Sequence, residues 1–211
     1  MCINFTPTKN KDWTKSVFDV DLPHTYPKEV FPSYPAPIII FDRKNERHKC
    51  GLAEFGLIPS WSKDKKIQRY TYNARHETVK TKPSYKDSWF NRRFALCILD
   101  NFFEPSYESG KPERYCIQRI DKRPIGIASL WDTWIDKETN QKIISFTMLT
   151  CNVDTHPVMK RFHRIDDEKR SPVILDEEQF NDWLTATPDT AINFMKCDMF
   201  PTLDSFRSVN T

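Results

Sequence analysis

Along most of this chain the apolar positions fall in short runs of four to ten residues bounded by polar or proline-containing stretches, a spacing that suits strands better than long helices. Runs rich in β-branched or aromatic residues at 38–41, 51–57, 94–103, 114–120, 125–132, 143–151 and 172–175 predict strands. Helical patches are fewer, at 84–91, 157–162, 176–185 and 189–195, and the third opens with Asp176 and Gln179 at capping-box spacing. Prolines cluster between Pro23 and Pro37, which predicts an extended loop leading into a buried strand at 38–41. The mixture predicts an α+β fold with a largely antiparallel sheet and helices on its outside.

Composition narrows the function classes. At 211 residues, 38% hydrophobic and 13% aromatic, the chain can bury a core and is expected to form one domain over 1–211. Its four glycines, Gly51, Gly56, Gly110 and Gly126, cannot write GxGxxG or a Walker loop, so no nucleotide cofactor bound in those ways is expected. Lys plus Arg is 32 against 29 Asp plus Glu, and a net charge of +3 means that any nucleic-acid site must be local. The polar start lacks an apolar leader core, and the longest apolar runs, 38–41 and 94–99, are too short to span a bilayer. A cytoplasmic monomer is the expectation. The six cysteines are at least 19 positions apart with no CxxC pair, which reads as cytosolic thiols and not as a zinc site. His76-Glu77 begins an HExxH pattern, but Lys80 stands where the second histidine belongs, so no metal is expected.

Cys2 is the most informative residue. Aminopeptidases remove Met1 when a small residue follows, and the mature chain would then begin with an α-amine and a thiol on neighbouring carbons. The amine titrates near about 7.7 to 8 and a free thiol near about 8.5, so both are reactive at neutral pH. With an aldehyde the pair forms a Schiff base that the thiol closes to a thiazolidine; alternatively the thiol attacks an amide. One of six scattered cysteines can also fall at position 2 by chance.

Further segments follow in order: 53–61 with Phe55-Gly56-Leu57-Ile58-Pro59-Ser60-Trp61, then Asn73-Ala74-Arg75-His76-Glu77-Thr78, then 92–104 from Arg92-Arg93 to Phe102-Phe103-Glu104, then His163, Arg170 and Pro172-Val173-Ile174-Leu175. With Cys2 in front, these resemble the SRAP (SOS response-associated peptidase) family, whose patterns are Cys at position 2, WGLxPxW, NARxET, RRCLxPxxGFYEW and an HxRMPxIL-like segment. The resemblance runs from Cys2 to about Trp183. It implies a single α+β domain around a barrel-like β core, and covalent capture by Cys2 of abasic sites in single-stranded DNA, with no cofactor and with association with the nucleoid when DNA is bound. Terms such as lyase, hydrolase and protease attach to the family in the same way.

The resemblance implies a catalytic quartet of Cys2, Asn73, Glu104 and His163. Glu104 ends an apolar strand, where burial would raise its carboxyl and let it relay the proton of the Cys2 amine. His163, among Lys160, Arg161 and Arg164, should be held neutral and could open the sugar ring; His156 is its rival. Asn73 offers an amide that positions without taking the proton. Arg75, on the same side of a strand, offers a fork for phosphate, and Trp61 and Phe55 could stack on bases, with core packing the stronger reading for Phe55. Short basic runs at 63–66 and 80–82 could extend a DNA groove. Several positions depart from the family patterns. Ile3-Asn4 replace Gly-Arg, Phe55 replaces the first Trp, Asn101 and Pro105 replace a Gly and a Trp, and Ser171 replaces a Met. Residues 164–169 look inserted, so either Arg164 or Arg170 could fill the family's arginine role. Two other functions remain on the sequence alone: an N-terminal-cysteine amidohydrolase or peptidase, and a non-catalytic single-strand binding module.

Overall fold

The computed structural model describes residues 2–164 and 166–208. Its organising strand is β5 (Phe94–Ser106), whose two halves live in different surroundings. Residues 94–99 are all buried, because the strand is flanked on both edges and covered on both faces, and so the run is continuously apolar. From residue 100 onward inward and outward positions alternate, and Phe102, Glu104 and Ser106 share the buried phase. The pleat therefore turns Glu104 inward.

The first half of β5 pairs with β2 (Pro35–Asp42) on one edge and β7 (Ile125–Ile135) on the other, both antiparallel. β2 pairs with β3 (Arg47–Phe55), and β7 with β8 (Lys142–Asn152). A parallel contact of β3 with β8, at Glu54↔Ser145 and Phe55↔Phe146, closes the five strands into a barrel. The second half of β5 leaves the ring to pair with β1 (Asn4–Pro7) and β6 (Glu113–Arg119), and β11 (Leu203–Arg207) extends β6. Beyond the seam β8 takes β4 (Asn73–Arg75) in parallel and β9 (Arg170–Pro172) antiparallel, while β10 (Ile174–Leu175) lies on β7.

Helices cover the outside: α1 (Lys11–Phe18), α2 (Gln68–Thr71), α3 (Lys86–Phe90), α4 (Phe180–Thr185) and α5 (Pro188–Ala191). Trp89 of α3 and Trp183 of α4 close on Phe94 at ring distances of 5.5 and 4.7 Å, and the Trp183 indole donates to the Ala95 carbonyl at 2.8 Å. The carbonyls left open at the end of α4 are taken by arginines: Arg92 donates to Thr185 and Ala186, and Arg43 to Leu184. Arg93 pairs with buried Asp132. The paired arginines of the third motif thus hold the scaffold.

The α+β class and the mostly antiparallel, barrel-like core are as expected, with β8 contributing the parallel contacts. The capping box at Asp176 and Gln179 is formed, but it opens a 3-10 turn, Glu177–Gln179, before α4 begins. The helix expected at 157–162 is only the turn Met159–Arg161, because Phe162 goes extended to bridge Ser106. β1, α1, α2 and β11 were not expected. α1 has eight residues, too few for Trp13, Val17 and Phe18 to display a period, although Asn10 caps it through the Trp13 amide.

Candidate active site around Cys2

Cys2 precedes β1, and the pairing of Asn4 with Phe103 sets it against the part of β5 that carries Glu104. The residue is fully buried and its Sγ donates to the Asn4 carbonyl at 3.5 Å. Burial, followed by the charge of Glu104, pushes the thiol far above its ordinary value and keeps it protonated. The Asn73 side-chain amide donates to the Cys2 carbonyl at 2.7 Å. Asn73 begins β4, whose register on Met148 fixes it, and the Tyr85 hydroxyl donates to its backbone carbonyl at 3.2 Å. The Oδ1 of Asn73 is buried with no hydrogen-bond partner among the described residues.

Glu104 is fully enclosed, and burial pushes its carboxyl up to about 7. His163 is pinned to the same strand: its N–H donates to the Pro105 carbonyl at 3.0 Å, and the preceding Phe162 bridges Ser106. That docking holds His163 in the left-handed region at φ 68°, which a non-glycine residue seldom occupies. Its Nε2 lies 3.7 Å from Glu104 Oε2 and 2.9 Å from the Arg170 carbonyl. Burial is the leading cause that lowers the imidazole to about 4, with the charge of Lys169 a minor one. The direction is the expected one, but burial, and not the cluster of Lys160, Arg161 and Arg164, is its leading cause. In a neutral ring the contact with a carbonyl requires the proton on Nε2, so the lone pair is on Nδ1. The rival His156 is spent on structure, its Nδ1 accepting from the amides of Val158 and Met159. The four expected residues thus converge from four separate segments. Removal of Met1 falls outside the described residues.

Tyr72 and Tyr85 belong to this site and went unnoticed in the sequence. Tyr72 immediately precedes Asn73 and packs edge-on to Phe55, and burial is the leading cause that raises its phenol. The available signal was proximity in the chain to Asn73; its meaning appears only once β4 docks on β8.

The expected DNA-contacting residues divide. Trp61 is 53% exposed, at the tip of a turn entered through Gly56. Gly56 has φ 109°, and a Cβ there would stand 2.6 Å from the Gln68 carbonyl oxygen, so only glycine fits. The turn is fastened by the Ile58 amide donating to Ser145 Oγ and the Trp134 indole donating to the Ser62 carbonyl. Phe55 is a correction to its proposed base contact: it is wholly buried, stacked on Phe146 at 5.2 Å and edge-on to Phe5 and Tyr72, with no face for a base. Arg170 is likewise corrected as a phosphate ligand. Its side chain is 2% exposed and is held bidentate by Glu77, by Glu168 and by the carbonyl and hydroxyl of Thr150. Arg75 is half-exposed and pairs with Glu168 at 2.8 Å. Arg164 is exposed, with its guanidinium 5.6 Å from the Tyr107 ring centre. Arg75, His163, Asp167, Glu168 and Arg170 line an open cleft of about 270 Å³. Among the described residues no group of three His, Cys, Asp or Glu is placed to hold a metal ion, and no helix is long and apolar enough to cross a membrane.

A buried thiol, a carboxyl near neutrality and a neutral histidine beside an open cleft define a site for acid–base and nucleophilic chemistry. The sequence model of the SOS response associated peptidase (SRAP) family matches residues 1–205, and the chain belongs to that family. It is 32% identical to the abasic site processing protein YoqW of Bacillus subtilis, over 87% of this chain and 80% of that one. To the abasic site processing protein HMCES of Xenopus tropicalis it is 28% identical, over 68% of this chain and 47% of that longer one. A solved structure of a Bordetella bronchiseptica protein superposes with a TM-score of 0.87 at 27% identity, covering 99% of this chain and 100% of the other.

Proposed function

We propose that this chain processes abasic sites in single-stranded DNA, and that it does so by forming a thiazolidine with Cys2 after Met1 is removed. The observation that carries the reading is the convergence of Asn73, Glu104 and His163 on Cys2, in a chain whose relatives bear the name abasic site processing protein.

Each step has a group suited to it. The abasic deoxyribose is mostly a closed hemiacetal. Neutral His163 takes the proton of the anomeric hydroxyl as the ring C–O bond breaks and delivers it to the ring oxygen, which exposes the aldehyde. The Cys2 amine adds to that carbonyl and water leaves, giving an imine. Glu104, with a carboxyl near 7, exists in both protonation states at neutral pH and can take a proton from the amine and give one to the departing oxygen. The Cys2 thiol then adds to the imine carbon, its proton passing to nitrogen, and closes the five-membered ring. Asn73 orients the residue through its carbonyl, and its remaining Oδ1 can accept from the amine or a sugar hydroxyl. Trp61 stacks on a neighbouring base, and Arg75 and Arg164 meet phosphates.

Burial that keeps the thiol protonated suits a group that acts second, after the amine has condensed, better than a resting thiolate attacking an amide. This favours capture over the peptidase chemistry of the family's name. Such a protein acts wherever single-stranded DNA is exposed in the cytoplasm. Mature protein incubated with abasic single-stranded DNA is expected to gain the mass of one strand less one water and to keep it on a denaturing gel after heating. Cys2→Ala retains an α-amine and should give only an imine that borohydride traps. Unreduced adduct at wild-type levels from Cys2→Ala would exclude the thiazolidine.

A further inference from the structure

Glu168 bridges cations from two strands at the mouth of the cleft. One carboxylate oxygen accepts from Arg75 of β4 at 2.8 Å and the other from Arg170 of β9 at 2.5 Å. The two arginines depend on it unequally. Arg170 is buried and keeps both oxygens of Glu77 and two atoms of Thr150 without it. Arg75 is 52% exposed, and Glu168 is its ion-pair partner among the described residues. Asp167 lines the same cleft, so the arginines are offset by acidic groups where the strand's phosphates would lie.

A carboxylate held by two guanidinium groups presents the charge and the paired oxygens that a phosphodiester would bring. We propose that Glu168 is a specificity-determining residue for the DNA reaction: it occupies Arg75 in place of a phosphate, so that a strand gains this contact only by displacing it. The inference rests on the reading of the chain as a DNA-capturing protein. An exposed ion pair is weak, so a phosphate displaces it readily, but the strand gains little by doing so and is left beside a freed carboxylate. Undamaged single strands are therefore held loosely. A strand with an aldehyde stays because of its covalent bond, and residence is set by the lesion instead of by charge.

Glu168→Gln keeps size and hydrogen bonding while removing the charge, and Arg170 retains Glu77. Binding of an undamaged fluorescent single strand, measured by anisotropy over a salt series, is expected to tighten about twofold to fivefold at low salt in this variant. Its log–log salt slope should steepen by about 0.7, one further phosphate neutralised. Adding Arg75→Ala to Glu168→Gln should return both quantities to those of Arg75→Ala alone. Affinity and slope equal to or below wild type in Glu168→Gln would overturn the proposal and leave Glu168 as a brace for Arg170. Failure of the capture reading appears elsewhere, as the absence of a heat-stable adduct between wild-type protein and abasic DNA.

Discussion

Two polar clusters meet at the end of the barrel where β4, β8 and β9 run together, joined by the contact of His163 with the Arg170 carbonyl, and they meet burial in opposite ways. Around Arg170 each side of the guanidinium has a partner, and the group stays fully charged inside the protein. At Glu104 and His163 burial wins over the available partners, moving the acid up to about 7 and the base down to about 4. A buried charge that is well partnered makes scaffold. A buried group whose neutral form is favoured can exchange protons at working pH, and the same folding energy that encloses it tunes it.

The largest test of this contrast is on the scaffold side. Glu77→Ala should cost about 3 kcal/mol in urea unfolding, because it leaves a buried cation with less compensation. Arg170→Met should cost less, since the partly exposed Glu77 and Glu168 return to water. An Arg170→Met variant as damaged as Glu77→Ala would mean that packing, and not charge compensation, holds the cluster.

The second test follows stability against pH. Glu104 binds its proton more tightly folded than unfolded, so its contribution is complete below about pH 4.5 and is lost as pH rises through about 7. His163 is the reverse: its contribution is complete above about 6.5 and is lost as pH falls through about 4. Each amounts to about 3 kcal/mol across its window, and between pH 4.5 and 6.5 the two oppose one another. Relative to wild type, His163→Gln should therefore lose stability as pH rises over that interval, and Glu104→Gln should gain it. Parallel curves for all three proteins would refute the opposite shifts.

Smaller in free energy is the effect of Glu104→Gln on imine formation, a slowing of about 10² followed by borohydride trapping at neutral pH, with the fold intact. Smallest is Arg75→Ala. With Arg75 already held by Glu168, the substitution should leave the salt slope of single-strand binding nearly unchanged in the wild-type background and remove about 0.7 only in the Glu168→Gln background; a loss of about 0.7 in the wild-type background would mean that Arg75 meets a phosphate in spite of Glu168.

Much of the site could be read from residue types. Cys2 stands out by position and chemistry, and the inward turn of Glu104 follows from the pleat phase it shares with Phe102. What sequence leaves hidden is which partners arrive from other strands. Arg75 and Arg170 look alike as candidate phosphate ligands, yet one is half-exposed and the other buried, because Glu77 and Thr150 reach Arg170 only through the docking of β4 and β9 on β8. Phe55 likewise sits in a motif beside exposed Trp61, and the bend at Gly56 separates the core residue from the surface one.

The parallel seam of the barrel has a consequence for local opening. β2 and β3 are matched in register from Pro35↔Glu54 to Asp42↔Arg47, whereas β3 and β8 meet only at Glu54↔Ser145 and Phe55↔Phe146, with the Gly56 amide donating to the Phe146 carbonyl just beyond. The ring is therefore weakest there, and amide deuteration at residues 54–56, at the ends of their ladders, should run ahead of that at residues 95–97, which lie within ladders to β2 and β7 on both edges. The Trp61 turn begins at this seam, so deuteration of its amides at residues 57–61 is expected to follow that of residues 54–56.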